Sequence, residues 1–220
     1  MSYVEVRDIC KKIGPEQVLD SVSFFVDSGE VACLEGENGS GKTMAMRVVC
    51  GLVRPDSGTV EVSGKRLWGE VSFPPSVGLL IETPALLDGY CALDNLSLLA
   101  SIRGVASKDD LRRTIERVGL DPAGKKPVRK FSLGMRQRLG IAMAIMEAPE
   151  LLVLDEPTNA LDEEGVALLV RIIGEERERG AALLVSSHDA SFIDAVATRV
   201  YHMAFGKVRN AEERGGRHES

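Results

Sequence analysis

With 220 residues, 44% of them hydrophobic and 27% charged, the chain has the balance of one packed globular domain of one or two lobes, and a disordered or fibrous protein is excluded. A formal net charge of -6 gives no general field favouring polyanions, so nucleic acid is not an expected partner. The opening MSYVEVRDIC lacks a basic segment followed by an apolar run, and no stretch approaches the ~20 apolar residues that cross a bilayer, so a cytosolic chain that does not span a membrane is expected.

In chain order, YVEVRDI, SVSFFV and TVEVSG cluster or alternate β-formers, with DSGE and RPDSG as turns, and predict an antiparallel opening. Within it VACLE is an apolar run that stops at Gly36. Beyond the glycines, KTMAMRVVCGL has helix-forming content and ends at a glycine. From Pro84 to about Met146, ALDNLSLLASIRG, KDDLRRTIERVGL and SLGMRQRLGIAMAIME place apolar residues at threes and fours, which predicts an inserted helical lobe over about 84–146. LLVLDE and AALLVSSHD are two further apolar runs, separated by the helix-like EEGVALLVRIIGEERERG, and this alternation is that of a parallel α/β sheet. RNAEERGGRHES is polar, so the expected domain covers 1–209 and 210–220 reads as a frayed tail. The four cysteines, Cys10, Cys33, Cys50 and Cys91, are scattered and read as reduced, mostly buried thiols. EERER, Glu175 to Arg179, reads as a solvated helix face, and the basic run from Lys125 to Phe131 as a solvated loop without the aromatic interleaving that stacked bases need.

GENGSGKT, Gly36 to Thr43, matches G-x-x-x-x-G-K-[ST], in which successive backbone N–H groups form a nest for phosphate at a helix N-terminus. Glu37, Asn38, Gly39 and Ser40 complete the loop up to Gly41, and Met44 follows it. On this reading Lys42 reaches the β and γ phosphates and the Thr43 hydroxyl coordinates Mg²⁺. A glycine-rich turn with a surface lysine is the bland alternative. LLVLDE ends a buried strand in two carboxylates: Asp155 suits the metal shell, and Glu156 suits orienting or deprotonating a water for attack on the γ phosphate. Alone, the pair also suits a helix N-cap before PTN. His188 ends another apolar run and belongs with Gly36 and Asp155 at the carboxyl ends of strands, where open α/β sheets place ligands, so it is expected to touch the γ phosphate. His202 and His218 read as a structural and a tail residue. FSLGMRQRLG places Ser132 and Gly134 at the start of a second helix whose free N–H groups favour an anion, in the helical lobe and away from the first loop.

Together these stretches resemble the ATP-binding subunits of ABC transporters over about residues 2–209. GENGSGKT is similar to the family's Walker A motif, LLVLDE to Walker B, FSLGM to the LSGGQ signature, NALD to the D-loop, and His188 to the switch histidine. The resemblance implies an α/β fold with a P-loop NTPase, RecA-like core of mostly parallel strands, an N-terminal antiparallel β subdomain and an inserted helical subdomain. It also implies ATP with Mg²⁺ and a head-to-tail pair of ATP-binding subunits. In that pair Ser132 and Gly134 of one chain close over ATP held by the other. The cycle would power a membrane-spanning permease, its cytoplasmic helix docked near Glu82 to Ala100, with this subunit peripheral on the inner face of the membrane.

Three departures from the family pattern stand out. Ile13 occupies the place of an aromatic residue that stacks on adenine, which implies weak discrimination between ATP and GTP. Leu133 and Met135 stand where the signature prefers glycine and glutamine. Glu82 replaces the glutamine that senses metal or water; its carboxylate accepts hydrogen bonds but donates none, favouring Mg²⁺ while repelling phosphate. Glu82 and FSLGMRQRLGIAMA together are similar to the subgroup that exports peptide antibiotics such as bacitracin and lantibiotics. A soluble ATP-driven clamp on nucleic acid or a protein complex is the rival class. Such relatives usually carry a second cassette, a long coiled coil or a basic arm, none of which the sequence displays.

Overall fold

The computed structural model describes residues 2–214. The chain opens with the long strands β1 (Ser2–Ile13) and β2 (Glu16–Asp27), followed by β3 (Val31–Glu35), α1 (Lys42–Val49), β4 (Ser57–Val62), the short β5 (Lys65–Arg66) and β6 (Val77–Leu80). Helices α2 (Ala92–Arg103), α3 (Lys108–Arg117) and α4 (Leu133–Ile145) come next, with a 3-10 turn at Val128–Lys130. Then β7 (Leu151–Asp155), α5 (Glu163–Glu178), β8 (Ala182–Ser187), α6 (Ala190–Val196), β9 (Arg199–Ala204) and β10 (Lys207–Glu213) complete the described chain.

The opening strands form an antiparallel sheet in the order β2-β1-β4-β5. Val4 lies opposite Val26 and Val62, and Val6 opposite Phe24 and Val60, so the alternation of β1 puts all six side chains on one buried face. The second sheet runs β10-β9-β3-β8-β7-β6, parallel except for β10. Its central strands are covered on both sides, which is why their sequences are continuous apolar runs rather than alternating ones. Cys33, Leu152, Leu154, Leu183 and Val185 face the core that holds the helical lobe, α5 and α6. Ala32, Leu34, Leu151, Val153 and Leu184 face α1 and the antiparallel sheet.

The helical periods predicted between Pro84 and Met146 are α2, α3 and α4, yet α4 does not stay within that lobe. Its last turns press on β6: a Cβ at Gly78 would lie 1.8 Å from the carbonyl oxygen of Ala144, so glycine is required for the contact. Periodicity did not reveal β6, β9, β10 or α6, each short or polar. The expected tail begins too early, because β10 carries the sheet to Glu213 through residues read as frayed. Among the described residues it lies at the edge of the sheet and pairs with β9 through the backbone, and this requires no apolar pattern. Residues 215–220, with His218, lie outside the described residues.

EERER is likewise not uniformly solvated. Glu176 is buried, with Arg117 at 3.0 Å and Arg179 at 2.6 Å taking up its charge, and this joins α5 to α3. The cysteines divide evenly: Cys33 and Cys50 are buried, and burial pushes both thiols up to about 12, whereas Cys10 and Cys91 are half-buried.

Candidate nucleotide site

The register of the parallel sheet brings the chemistry-bearing segments together. Glu35 pairs with Ser187 and with His202, and Asp155 with Ser186, so β3, β7 and β8 end at one level. Gly36, Glu156 and His188 emerge from those ends. From β3 the chain turns through Gly36 to Gly41 into α1, which has Gly41 as its N-cap at φ 105°, a left-handed conformation open to glycine. Gly36 is equally obligatory, since a Cβ there would meet the carbonyl oxygen of Met203 at 2.3 Å.

Lys42 is 5% exposed, and its ammonium donates to the carbonyl oxygens of Gly36 at 2.5 Å and Glu37 at 3.2 Å. It also lies 3.5 Å from Glu156 Oε1, an ion-pair distance without a hydrogen bond. The cation is thus folded back into the loop that would receive phosphate. Thr43 Oγ1 donates to Asp155 Oδ2 at 2.7 Å, while Ser186 Oγ donates to Asp155 Oδ1 at 2.5 Å and accepts from the backbone N–H of Glu156 at 2.9 Å. Asp155 is 4% exposed, and hydrogen bonds satisfy both of its oxygens, as a buried carboxylate requires. His188, largely exposed, places Nδ1 2.9 Å from Glu156 Oε2.

A cleft of about 240 Å³ is lined by Asn38 to Met44, Val18, Arg47, Glu82 and Glu156. An adjoining pocket of about 400 Å³ joins Thr43, Glu82, Asp155 and Glu156 to Leu133, Arg136 and Gln137 of α4. Glu82 borders both, with its carboxylate 2.7 Å from Arg47 Nη2. Glu82 and Glu156 both hold positive φ, 59° and 46°, a conformation that costs a non-glycine residue about 1–2 kcal/mol.

The remaining predicted residues lie elsewhere. Ser132 is the N-cap of α4 and accepts from the Met135 N–H at 3.2 Å, so the predicted second helix start is real, but Ser132 and Gly134 line neither the cleft nor the adjoining pocket. The helix start is nonetheless not remote from the first loop, since Leu133 shares the pocket with Thr43. Gly134 lets α4 approach the NALD loop, where an added Cβ would sit 2.9 Å from the Ala160 carbonyl oxygen. Ile13, at the β1–β2 turn, is exposed and lines neither cavity.

Sequence reasoning missed three residues. Ser186 is legible only as the hydroxyl two positions before His188. Gln137, buried, donates to the Pro157 carbonyl oxygen at 3.0 Å and ties α4 to the segment after Glu156. Arg47 reads as one more charge on an amphipathic helix.

The family described as ABC transporter matches residues 19–159. An uncharacterized ABC transporter ATP-binding protein, YybJ of Bacillus subtilis (strain 168), is 43% identical over 210 residues, 96% of this chain and 96% of that protein. The bacitracin transport ATP-binding protein BcrA of Bacillus licheniformis is 36% identical, covering 94% of this chain and 68% of that protein. The lantibiotic transport ATP-binding protein SrtF of Streptococcus pyogenes is 34% identical, covering 97% and 92%. Among solved structures, an ATP-binding subunit of an ABC transporter superposes with a TM-score of 0.87 at 27% identity, covering 96% of this chain and 90% of that one. The cassette MJ0796, in a dimeric post-hydrolysis state bound to ADP and Pi, has a TM-score of 0.85 at 23% identity, covers 96% and 99%, and shares the fold.

Proposed function

The chain belongs to the ABC transporter family as an ATP-binding subunit that hydrolyses ATP to energise a membrane transporter, and we propose that it drives the export of peptide antibiotics or related compounds through a membrane-spanning partner. The observation that carries the ATPase assignment down to residues is the convergence of Lys42, Thr43, Asp155, Glu156 and His188 at the ends of three adjacent strands. The cargo class rests on similarity along nearly all of this chain to the bacitracin and lantibiotic transport proteins, of which it covers 68% and 92%.

In this reading the backbone N–H groups from Gly36 to Thr43 hold the phosphate chain of ATP, and Lys42 exchanges its loop carbonyls for phosphate oxygens. Glu37, Asn38, Gly39 and Ser40 shape the loop, and Met44 continues α1 beneath it. Glu156 accepts or orients the proton of the attacking water, and His188 holds the Glu156 carboxylate in place and reaches the γ phosphate. Thr43 Oγ1 and Asp155 Oδ2 fit Mg²⁺, an ion held by one or two protein oxygens with substrate phosphate completing its shell, and Glu82 stands beside them. Bound there, Mg²⁺ neutralises charge on the phosphates. Ile13 takes the place of the residue that stacks on adenine in the family, and its apolar side chain gives the base little discrimination.

Ser132 and Gly134, which line neither of the chain's own two cavities, close over ATP on a second copy of the subunit. An apolar groove of about 430 Å³, with Leu79, Leu99, Ile102 and Met143 in its walls beside Thr83–Ala85, receives the permease. Among the described residues no helix is long and apolar enough to cross a membrane. The subunit works on the cytoplasmic face, held to the membrane through the permease.

Tagged Glu156→Gln protein, purified in gentle detergent with ATP and Mg²⁺, tests this. A polytopic membrane protein should co-purify, and loss of the subunit from its host should raise sensitivity to bacitracin-type or lantibiotic peptides. A soluble partner or nucleic acid without a membrane subunit would favour a clamp. Unchanged peptide sensitivity alongside raised sensitivity to small non-peptide drugs would replace the cargo class.

A further inference from the structure

We propose that Arg47 is a positioning residue for the ATPase site: it pairs with Glu82 and neutralises its carboxylate, so that a cleft carrying an extra acid still admits a triphosphate. The inference rests on the reading of this cleft as the ATP site and deepens it.

The charges of the cleft can be matched one by one. Asp155 is satisfied by the hydroxyls of Thr43 and Ser186. Glu156 faces Lys42 and His188. Among the described residues, Glu82 has one cation against it, Arg47, at 2.7 Å. Without that partner an ionised carboxylate would border the space where phosphate oxygens must sit, and like charges at short range oppose binding. A neutral glutamine at this position would need no such partner, so Glu82 and Arg47 form a matched pair of which the sequence displays only the acid as unusual.

The placement of the pair supports a role beyond surface charge. Arg47 lies in the last turn of α1, whose first turn is the end of the phosphate loop, and Glu82 follows β6 at a strained φ of 59°. One short helix therefore joins the phosphate nest to the carboxylate. Both side chains keep contact with water, 34% and 60% exposed, so the pair is weak enough to open when another group competes for either partner.

The test is equilibrium binding of a fluorescent ATP analogue to the isolated subunit, with EDTA and again with Mg²⁺, so that it does not depend on turnover. Arg47→Ala should weaken binding about three- to fivefold in EDTA, in line with the loss of one exposed ion pair. Adding Glu82→Gln to that variant should restore most of the loss, because it removes the unpaired charge. Arg47→Lys should bind closer to the parent than Arg47→Ala does. A merely structural Arg47 would not be rescued by Glu82→Gln, and thermal unfolding of each variant shows whether the fold has been kept. Parental affinity in Arg47→Ala, or a double variant as weak as the single one, overturns the proposal. Retained binding in Lys42→Ala in the same assay would instead overturn the assignment of the cleft.

Discussion

The phosphate loop and the start of α4 are both helix N-termini suited to an anion, and they are built in opposite ways. At the first, Lys42 and Asp155 are 5% and 4% exposed, strand ends converge from both sides, and the acids already have partners. At the second, the Ser132 cap is satisfied within its own helix, and the next residue, Leu133, is 74% exposed. An apolar side chain of that size is stabilised by roughly 1.5–3 kcal/mol when it is covered. One end is preorganised by its own sheet; the other is finished as a surface. The difference fits the proposed division of labour, in which one helix start binds the nucleotide and the other closes over a second copy.

The sharpest way to break the preorganised half is Lys42→Ala, which should weaken ATP binding more than a hundredfold, about 2.8 kcal/mol, while the fold is retained. Titration calorimetry reads it, and parental affinity would remove Lys42 from the phosphate contacts. Gly78→Ala tests whether the surface half depends on the sheet, since the last turn of α4 lies against β6 at that glycine. A loss of about 1–3 kcal/mol in denaturant unfolding is expected, and an unchanged midpoint would mean that α4 can move away freely.

Leu133→Asp isolates the surface half itself. In a Glu156→Gln background it should reduce ATP-dependent self-association about tenfold, as for a central interface residue, with monomer stability within ~0.5 kcal/mol of the parent. Equal association by sedimentation would place the closing surface elsewhere. The smallest effect concerns the base. ATP and GTP affinities should lie within about tenfold of each other, and Ile13→Tyr should tighten ATP by a few-fold through stacking worth about 0.5–1.5 kcal/mol. A larger preference in the parent would mean that another residue reads the base.

Much of the fold and part of the site are legible along the chain, for a physical reason in each case. A phosphate nest uses contiguous backbone N–H groups, so Gly36 to Thr43 announces itself within eight residues. Strands covered on both faces must be apolar throughout, so β3, β7 and β8 stand out, and the polar residue that ends each one marks the site. Apolar residues at threes and fours reveal α2 to α5, and Ser107, Ser132 and Asp162 mark the starts of α3, α4 and α5 as side-chain caps. These features depend on neighbours in sequence, and the amino-acid order alone determined them.

Contacts between distant segments follow from strand register and helix packing, which no local period encodes. Only the tertiary structure set Ser186 beside Asp155 across two adjacent strands, paired Arg47 with Glu82, and buried Glu176 between two arginines within an apparently solvated run. It also turned a polar terminus into an edge strand and made Gly78 indispensable to α4. Ser186, Glu82, Glu176 and Gly78 each acquire their meaning from a partner more than thirty residues away, Asp155, Arg47, Arg117 and Ala144, brought near by the folding of the chain.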